Sequence, residues 1–423
     1  MSLPMTAFAT AVLLTASTPC GSAAESENSF AIHNVRVFDG RAVIRRATVI
    51  VRNGRIEAVD GGAAIPEGMD VINGSGKTLL PGFIDSHIHV FPGAQGDALR
   101  FGVTTELDMF NLSHDFTRWR SQRESLARVM EADTWSAGTG ITVPGGHPNQ
   151  WVPEDMPRLH PGDDVAAFVA ARNTEGSDYI KLILENNAAL DPARPFPTLS
   201  TEQVCAAAAA SRARGLLSIV HATQQVDAHI AIDCGANGLA HMFEDSVASE
   251  SFVRLAEARR TFVVTTLSVV AAASGAPTAG EVLKRPDVAS LLSAGQERSL
   301  RATFDKPHPT HINYALDSVR RLHVGGVVLL AGTDAPAPGT AHGVSMHQEL
   351  ALLVRAGLKP ADALAAATAS PATIFHLDDR GRILPGHRAD LILVDGDPTK
   401  SISDTLRIER IWKNGYPVKR ALP

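Results

Sequence analysis

A short apolar, β-branched run recurs eight times along the middle of the chain, near 83 to 88, 103 to 109, 135 to 139, 178 to 184, 216 to 221, 238 to 242, 261 to 267 and 327 to 332. Runs that are apolar on both faces belong to parallel strands covered by helices. The chain between them supplies amphipathic stretches of helical length: Asp163 to Thr174, Glu202 to Arg214, Val226 to Cys234, Ser249 to Arg259 and Ile312 to His323, with Pro360 to Phe375 as a closing helix. Strands alternating in this way with helices predict an α/β fold, a (β/α)8 barrel over residues 80 to 378, whose chemistry sits at the C-terminal mouth of its strands.

The flanks have a different texture. Residues 25 to 79 alternate apolar and polar positions around Asp39-Gly40 and Asn53-Gly54, which are strong hairpin signals. The same pattern returns in 379 to 423, in Ala389 to Asp395 and Ile408 to Gly415. Neither piece is long enough to bury a core alone, so the two are expected to form one small β-sandwich. The stretch from Ala271 to His311, after the seventh barrel strand, is too long for an ordinary connection and is read as a lid or substrate wall.

Residues 1 to 24 carry an apolar stretch, Ala7 to Ala16, followed by Ser22-Ala23-Ala24. This reads as a secretory signal cleaved after Ala24, although the usual positive n-region is missing. A lipid anchor at Cys20 is the rival reading, and Pro19 before it is a poor match to a lipoprotein cleavage box. The mature protein is therefore expected to be secreted or periplasmic. Cys205 and Cys234 would then be free to bridge in an oxidising compartment, but the reading favoured here is two separate buried thiols. A net charge of -6 without basic clusters gives no electrostatic footprint for nucleic acid. No other apolar run approaches the length that spans a bilayer. A homo-oligomer is compatible with the chain.

The sixteen histidines are the anomaly in the composition. His87 and His89 lie two apart at the end of the first barrel run, so on a strand both imidazoles share a face. His221 and His241 end the fifth and sixth runs, close enough across adjacent strands to share a cation, and Asp334 follows the eighth, beside the first. Imidazole and carboxylate donors suit zinc and its neighbours in the first transition row. Lys181, in the fourth run, would be repelled by cations unless its charge changed. Carboxylation by carbon dioxide would turn it into N6-carboxylysine, an anion with two oxygens able to bridge two divalent metal ions. Tyr179 shares the strand face of Lys181 and is a candidate for substrate contact, with core packing as the default. His342 and His347 flank the loop after the eighth strand, and His342 is taken with the substrate. His308 and His311 are weaker pocket candidates. Asp108 would orient a ligand histidine or cap a helix.

These residues, with the opening Leu80-Pro81-Gly82-Phe83-Ile84-Asp85-Ser86-His87-Ile88-His89 and the closing Leu384-Pro385-Gly386-His387-Arg388-Ala389-Asp390-Leu391, resemble the metal-dependent amidohydrolase superfamily over nearly the whole mature chain. The texture of Tyr179-Ile180-Lys181, His221-Ala222-Thr223 and Gly332-Thr333-Asp334-Ala335 resembles its imidazolonepropionase-like and prolidase-like branch. The resemblance implies a dinuclear metal site held by His87, His89, Lys181, His221, His241 and Asp334. It also implies a small-molecule amide substrate, such as a dipeptide or N-acyl amino acid. The mechanism expected is attack on the amide carbonyl by a hydroxide bridging the metals, with Asp334 taking the proton and passing it to the leaving amine. The resemblance further suggests that His147, in Pro144-Gly145-Gly146-His147-Pro148, orients substrate or stabilises the oxyanion. Rival readings are a lactone or ester hydrolase, a mononuclear deaminase-type enzyme and, last, a non-catalytic metal-binding scaffold. Ala222 and Thr223 after His221 stand where mononuclear members usually carry an acid, which counts against the second of these.

Overall fold

The computed structural model describes residues 27–112, 115–276 and 278–422. The leader read over 1 to 24, with Cys20, lies outside the described residues. Strands β1 (Phe30–Phe38), β2 (Val43–Arg52), β3 (Arg55–Asp60), β4 (Val71–Asn73) and β5 (Lys77–Pro81) precede the barrel. The barrel strands are β6 (Phe83–Ile88), β7 (Val103–Asp108), β8 (Asp133–Ser136), β9 (Ile180–Ile183), β10 (Ser218–His221), β11 (Gly238–Ala240), β12 (Phe262–Val264) and β13 (Leu329–Leu330). The chain ends with β14 (Leu391–Asp395), β15 (Ile408–Lys413) and β16 (Tyr416–Pro417).

Parallel pairing runs through β6-β7-β8 and through β9-β10-β11-β12-β13. The two arcs close on each other at both seams. Ile141 bridges to Leu182, its N–H donating to Lys181 O at 2.8 Å, and Ile88 bridges to Ala335 while Ser86 N–H donates to Ala331 O at 2.9 Å. The result is the (β/α)8 barrel. Strand parity sorts its side chains: Ile84, Leu107, Ala137, Tyr179, Ile219, Ala240, Val264 and Leu330 form one cluster inside the ring. Their neighbours Phe83, Val103, Ile180, Leu182, Val220, Leu239, Val263 and Leu329 pack outward against the helices. Each such side chain, fully buried, contributes roughly 1.5–3 kcal/mol.

The terminal strands join in the order β16-β15-β14-β5-β1-β2-β3, with β4 also on β1, and enclose a core of their own in which Phe30 of β1 stacks on Trp412 of β15 at 4.8 Å, as the sandwich expected from both termini requires. Apolar alternation assigns faces to strands but does not say which strands pair. Here β1, irregular at two points against β2, takes β4 along its first half and β5 along its second. The join between the two ends of the chain is the antiparallel pair β5–β14, Leu391 opposite Pro81. Leu79, Leu391 and Leu393 face the sheet's own core with Trp412, while Leu80, Ile392 and Val394 face the barrel. A buried ionic knot pins the sheet to the barrel floor: Lys413 Nζ donates to Asp133 at 2.8 Å and to Asp390 at 3.0 Å.

Two differences from the sequence reading have local causes. The closing helix is split into Pro360–Ala366 and Ala369–Ile374. Pro371 has no N–H to give Ala367 O, so the helix cannot run through; that carbonyl instead accepts the N–H of Ile84, and Ala366 O accepts that of Ala331. Cys205 and Cys234, read as separate thiols, are bridged, with their Cα atoms 4.3 Å apart. Their pairing depends on how the helices Thr201–Arg212 and Gln225–Asp233 sit together, which no local pattern states. The insertion after β12 folds into short helices, among them Ala294–Arg301, with a small core of its own that includes Val282, Val288, Leu292 and Leu300 against Phe101 and Val344. Among the described residues no helix is long and apolar enough to cross a membrane.

Candidate metal centre

The mouth of the barrel collects imidazoles. A register shift between Asp85 and Ile88 in β6 changes the parity of that strand, so that Ile84 and His87 both face inward. His87, His241 and Asp334 offer donor atoms that all lie within 4.8 Å of one another. Asp334 Oδ1 is 3.3 Å from His87 Nε2 and 3.1 Å from His89 Nε2. The His241 ring lies 4.5 Å from the rings of both His87 and His221. His147 stands next, its ring 5.1 Å from that of His221. The structure thus brings these five side chains and His147 into one neighbourhood with Lys181 of β9, whose charge acts on His87, His241 and His147.

Two of these residues hold unusual backbones. His241 and Asp334 have φ values of 73° and 58°, in the left-handed region where non-glycine residues are uncommon and where strain gathers at functional sites. Gly332 makes the approach of Asp334 to β6 feasible, because a Cβ there would lie 2.9 Å from His87 Cβ and 2.6 Å from a Val264 methyl. Asp85 then ties the two strands together by accepting the N–H and hydroxyl of Thr333 at 3.0 and 2.7 Å. Burial pushes the Asp85 carboxyl up to about 8.

The donor set fits divalent cations. Among the described residues, both ring nitrogens of His87 and the Nζ of Lys181 are buried without a hydrogen-bond partner. Burial, the neighbouring Lys181 and the other imidazoles keep His87 and His241 far below the usual imidazole range, hence neutral with lone pairs available. Burial likewise lowers Lys181 to about 7, against the pull of Asp334 and Asp108. Each remaining ring has one nitrogen held by an outer partner. His89 Nδ1 sits 3.3 Å from Phe110 O, His241 Nδ1 sits 2.9 Å from Thr266 Oγ1, and His221 Nε2 is 3.4 Å from Glu185 Oε2. Such outer partners orient ligand imidazoles and select their tautomers.

Other candidates are placed elsewhere. Tyr179 faces into the barrel as its parity with Lys181 requires, but its hydroxyl donates toward Asp108 O at 2.8 Å and Trp135 O at 3.1 Å, and its ring packs on Phe375. It is a packing residue that ties strands together. His342 is buried on the outer side of β7, its Nδ1 2.7 Å from Glu106 Oε1; burial disfavours its charge but the carboxylate beside it prevails and raises it. His347 is spent on Phe101 O at 3.0 Å. His308 and His311 stack at 4.6 Å, with His311 3.5 Å from Glu244. Asp108 neither caps a helix nor bonds an imidazole; its carboxylate accepts Val90 N–H at 3.0 Å and the Ser136 hydroxyl. Sequence reasoning missed Glu185, which parity with Lys181 could have exposed. It also missed Trp151, which is 73% exposed and stands edge-on to His147 at 5.6 Å.

A family model described as the amidohydrolase family matches residues 78–418. An imidazolonepropionase from Mycolicibacterium smegmatis is 27% identical over 388 residues, 84% of this chain and 85% of its own length. Among solved structures, a Xaa-Pro dipeptidase with methionine in its active site superposes with a TM-score of 0.73 at 21% identity, covering 92% of this chain and all of that one. A putative prolidase from Bifidobacterium longum gives 0.74 at 23% identity, covering 93% and 95%; at these identities the likeness is one of fold.

Proposed function

The chain belongs to the amidohydrolase family, and from that premise we propose that it hydrolyses the amide bond of a dipeptide or N-acyl amino acid at a centre of two divalent ions, zinc by the nature of the donors. Hydrolysis of carbon–nitrogen bonds as a class is what the family and its imidazolonepropionase relatives indicate. The observation that carries the finer reading is the convergence of His87, His89, His241 and Asp334, with His221 alongside, while the buried amine of Lys181 is left without a partner.

The residues that would hold the ions are His87, His89, Lys181, His221, His241 and Asp334. Bound there, such a pair supplies hydroxide at neutral pH and polarises a carbonyl. Asp334 Oδ1 lies within reach of both His87 and His89, which suits it to take the proton of the attacking water and return it to the leaving amine. His147, whose ring is 5.1 Å from that of His221, would orient the carbonyl oxygen. Lys181 would act as N6-carboxylysine: its neutral amine adds to carbon dioxide, a nitrogen–carbon bond forms, and one proton leaves to solvent. Burial that holds the amine near 7 favours the nucleophilic form. We read the protein as exported, secreted or periplasmic; the Cys205–Cys234 bridge supports this, since oxidising compartments preserve such bonds.

The test is metal-reconstituted protein screened against dipeptides, N-acyl amino acids, cyclic amides and lactones, with Lys181→Ala as control. Turnover of a linear amide, with loss of both rate and one metal equivalent in the variant, is expected. Full metal content and full rate in Lys181→Ala would remove the bridging role, and turnover of lactones alone would replace the amide reading.

A further inference from the structure

Behind His241 lies a hydrogen-bonded chain that runs to a second buried side chain. Thr266, whose hydroxyl meets His241 Nδ1 at 2.9 Å, sits just beyond β12 with φ 41° and ψ 40°. A β-branched residue rarely adopts this left-handed conformation unless its surroundings impose it. The imposing group is Glu349, fully buried in the helix Val344–Arg355. Its carboxyl accepts the Thr265 hydroxyl at 2.6 Å, Leu267 N–H at 3.0 Å, Ser268 N–H at 2.7 Å and the Ser268 hydroxyl at 2.8 Å. All four donors flank Thr266 on either side. One side chain therefore clamps the turn from 265 to 268 and leaves the Thr266 hydroxyl aimed at the ring.

We infer that Glu349 is a positioning residue for His241, acting through Thr266, and that the pair selects the tautomer in which Nδ1 carries the proton and Nε2 is free to bind a cation. This rests on the reading of His241 as a metal ligand. The logic is one of lone pairs: an imidazole can coordinate only through an unprotonated nitrogen, so the hydroxyl must receive the Nδ1 proton rather than give its own.

The experiment uses the full chain with 15N-labelled histidine, in the metal-free state and then under zinc titration. Thr266→Val keeps the branched shape and deletes only the hydroxyl. Glu349→Gln keeps the size of the clamp but turns an amide NH2 toward the Ser268 donors. In the metal-free wild type, two-bond 15N–1H correlations should place the His241 proton on Nδ1, and both variants should lose that preference. Zinc affinity should fall about 10- to 100-fold in each. The double variant should be no weaker than the worse single one, because both changes break the same chain of contacts. An unchanged tautomer in both variants overturns the inference, as does zinc affinity equal to wild type or losses that simply add. A wild type with the Nδ1 tautomer but no affinity for zinc would instead sink the metal reading while leaving the positioning intact.

Discussion

Replacing Lys181 by Met should make the metal-free protein more stable at neutral pH, and the gain should depend on pH in a defined way. The Lys181 amine is buried without a hydrogen-bond partner and lowered from 10.5 to about 7. In the unfolded chain it takes up a proton more readily than in the folded one, so protonation favours unfolding. At about 1.4 kcal/mol per tenfold change in affinity, the folded state bears a penalty of roughly 5 kcal/mol below pH 7. That penalty shrinks to about 2 kcal/mol at pH 9 and vanishes above the unfolded value. Met keeps the length of the stem and carries no charge, so it removes the penalty without opening a cavity. The assay is denaturant unfolding of chelator-treated wild type and Lys181→Met between pH 6 and pH 10, in buffers freed of carbon dioxide. The difference in stability should be largest at the acid end and close toward the alkaline end. A variant less stable than wild type at pH 6, or a difference flat across the range, would refute the reasoning. A residue that costs this much stability in the metal-free state is retained for chemistry, which is the sense in which the prediction bears on function.

Tyr179→Phe should cost about 1 kcal/mol of stability, the usual net worth of a buried hydroxyl's hydrogen bond, and leave kcat and KM for any identified substrate unchanged; a raised KM would return Tyr179 to the substrate. Reducing the Cys205–Cys234 bridge, or replacing both residues by Ala, releases a loop of sequence separation 29. The chain-entropy relation puts the loss at about 3.5 kcal/mol, readable as a denaturant midpoint lower than that of the oxidised protein, and identical midpoints with and without reductant would contradict the bridge.

Much of this protein is written locally. The eight apolar runs, their spacing and the helical stretches between them are consequences of burial on both faces of a strand, and each can be read from a window of a dozen residues. The nature of the donors is local too, since His87, His89, Lys181, His221, His241 and Asp334 all stand in such runs or just beyond them. Even the break in the closing helix is foreshadowed by Pro371. Other features are set by contacts between residues far apart in sequence. The register shift in β6 that turns His87 inward arises from pairing with β7. Tyr179 was drawn into the core because two carbonyls from neighbouring strands stood ready for its hydroxyl. The disulfide, the strand pairing between the two termini, and the clamp that Glu349 places on the Thr266 turn each join segments that only the closed barrel brings together. Side-chain periodicity carries information along one element, whereas the aim of a catalytic group depends on hydrogen bonds made across several, and these exist only once the chain has folded.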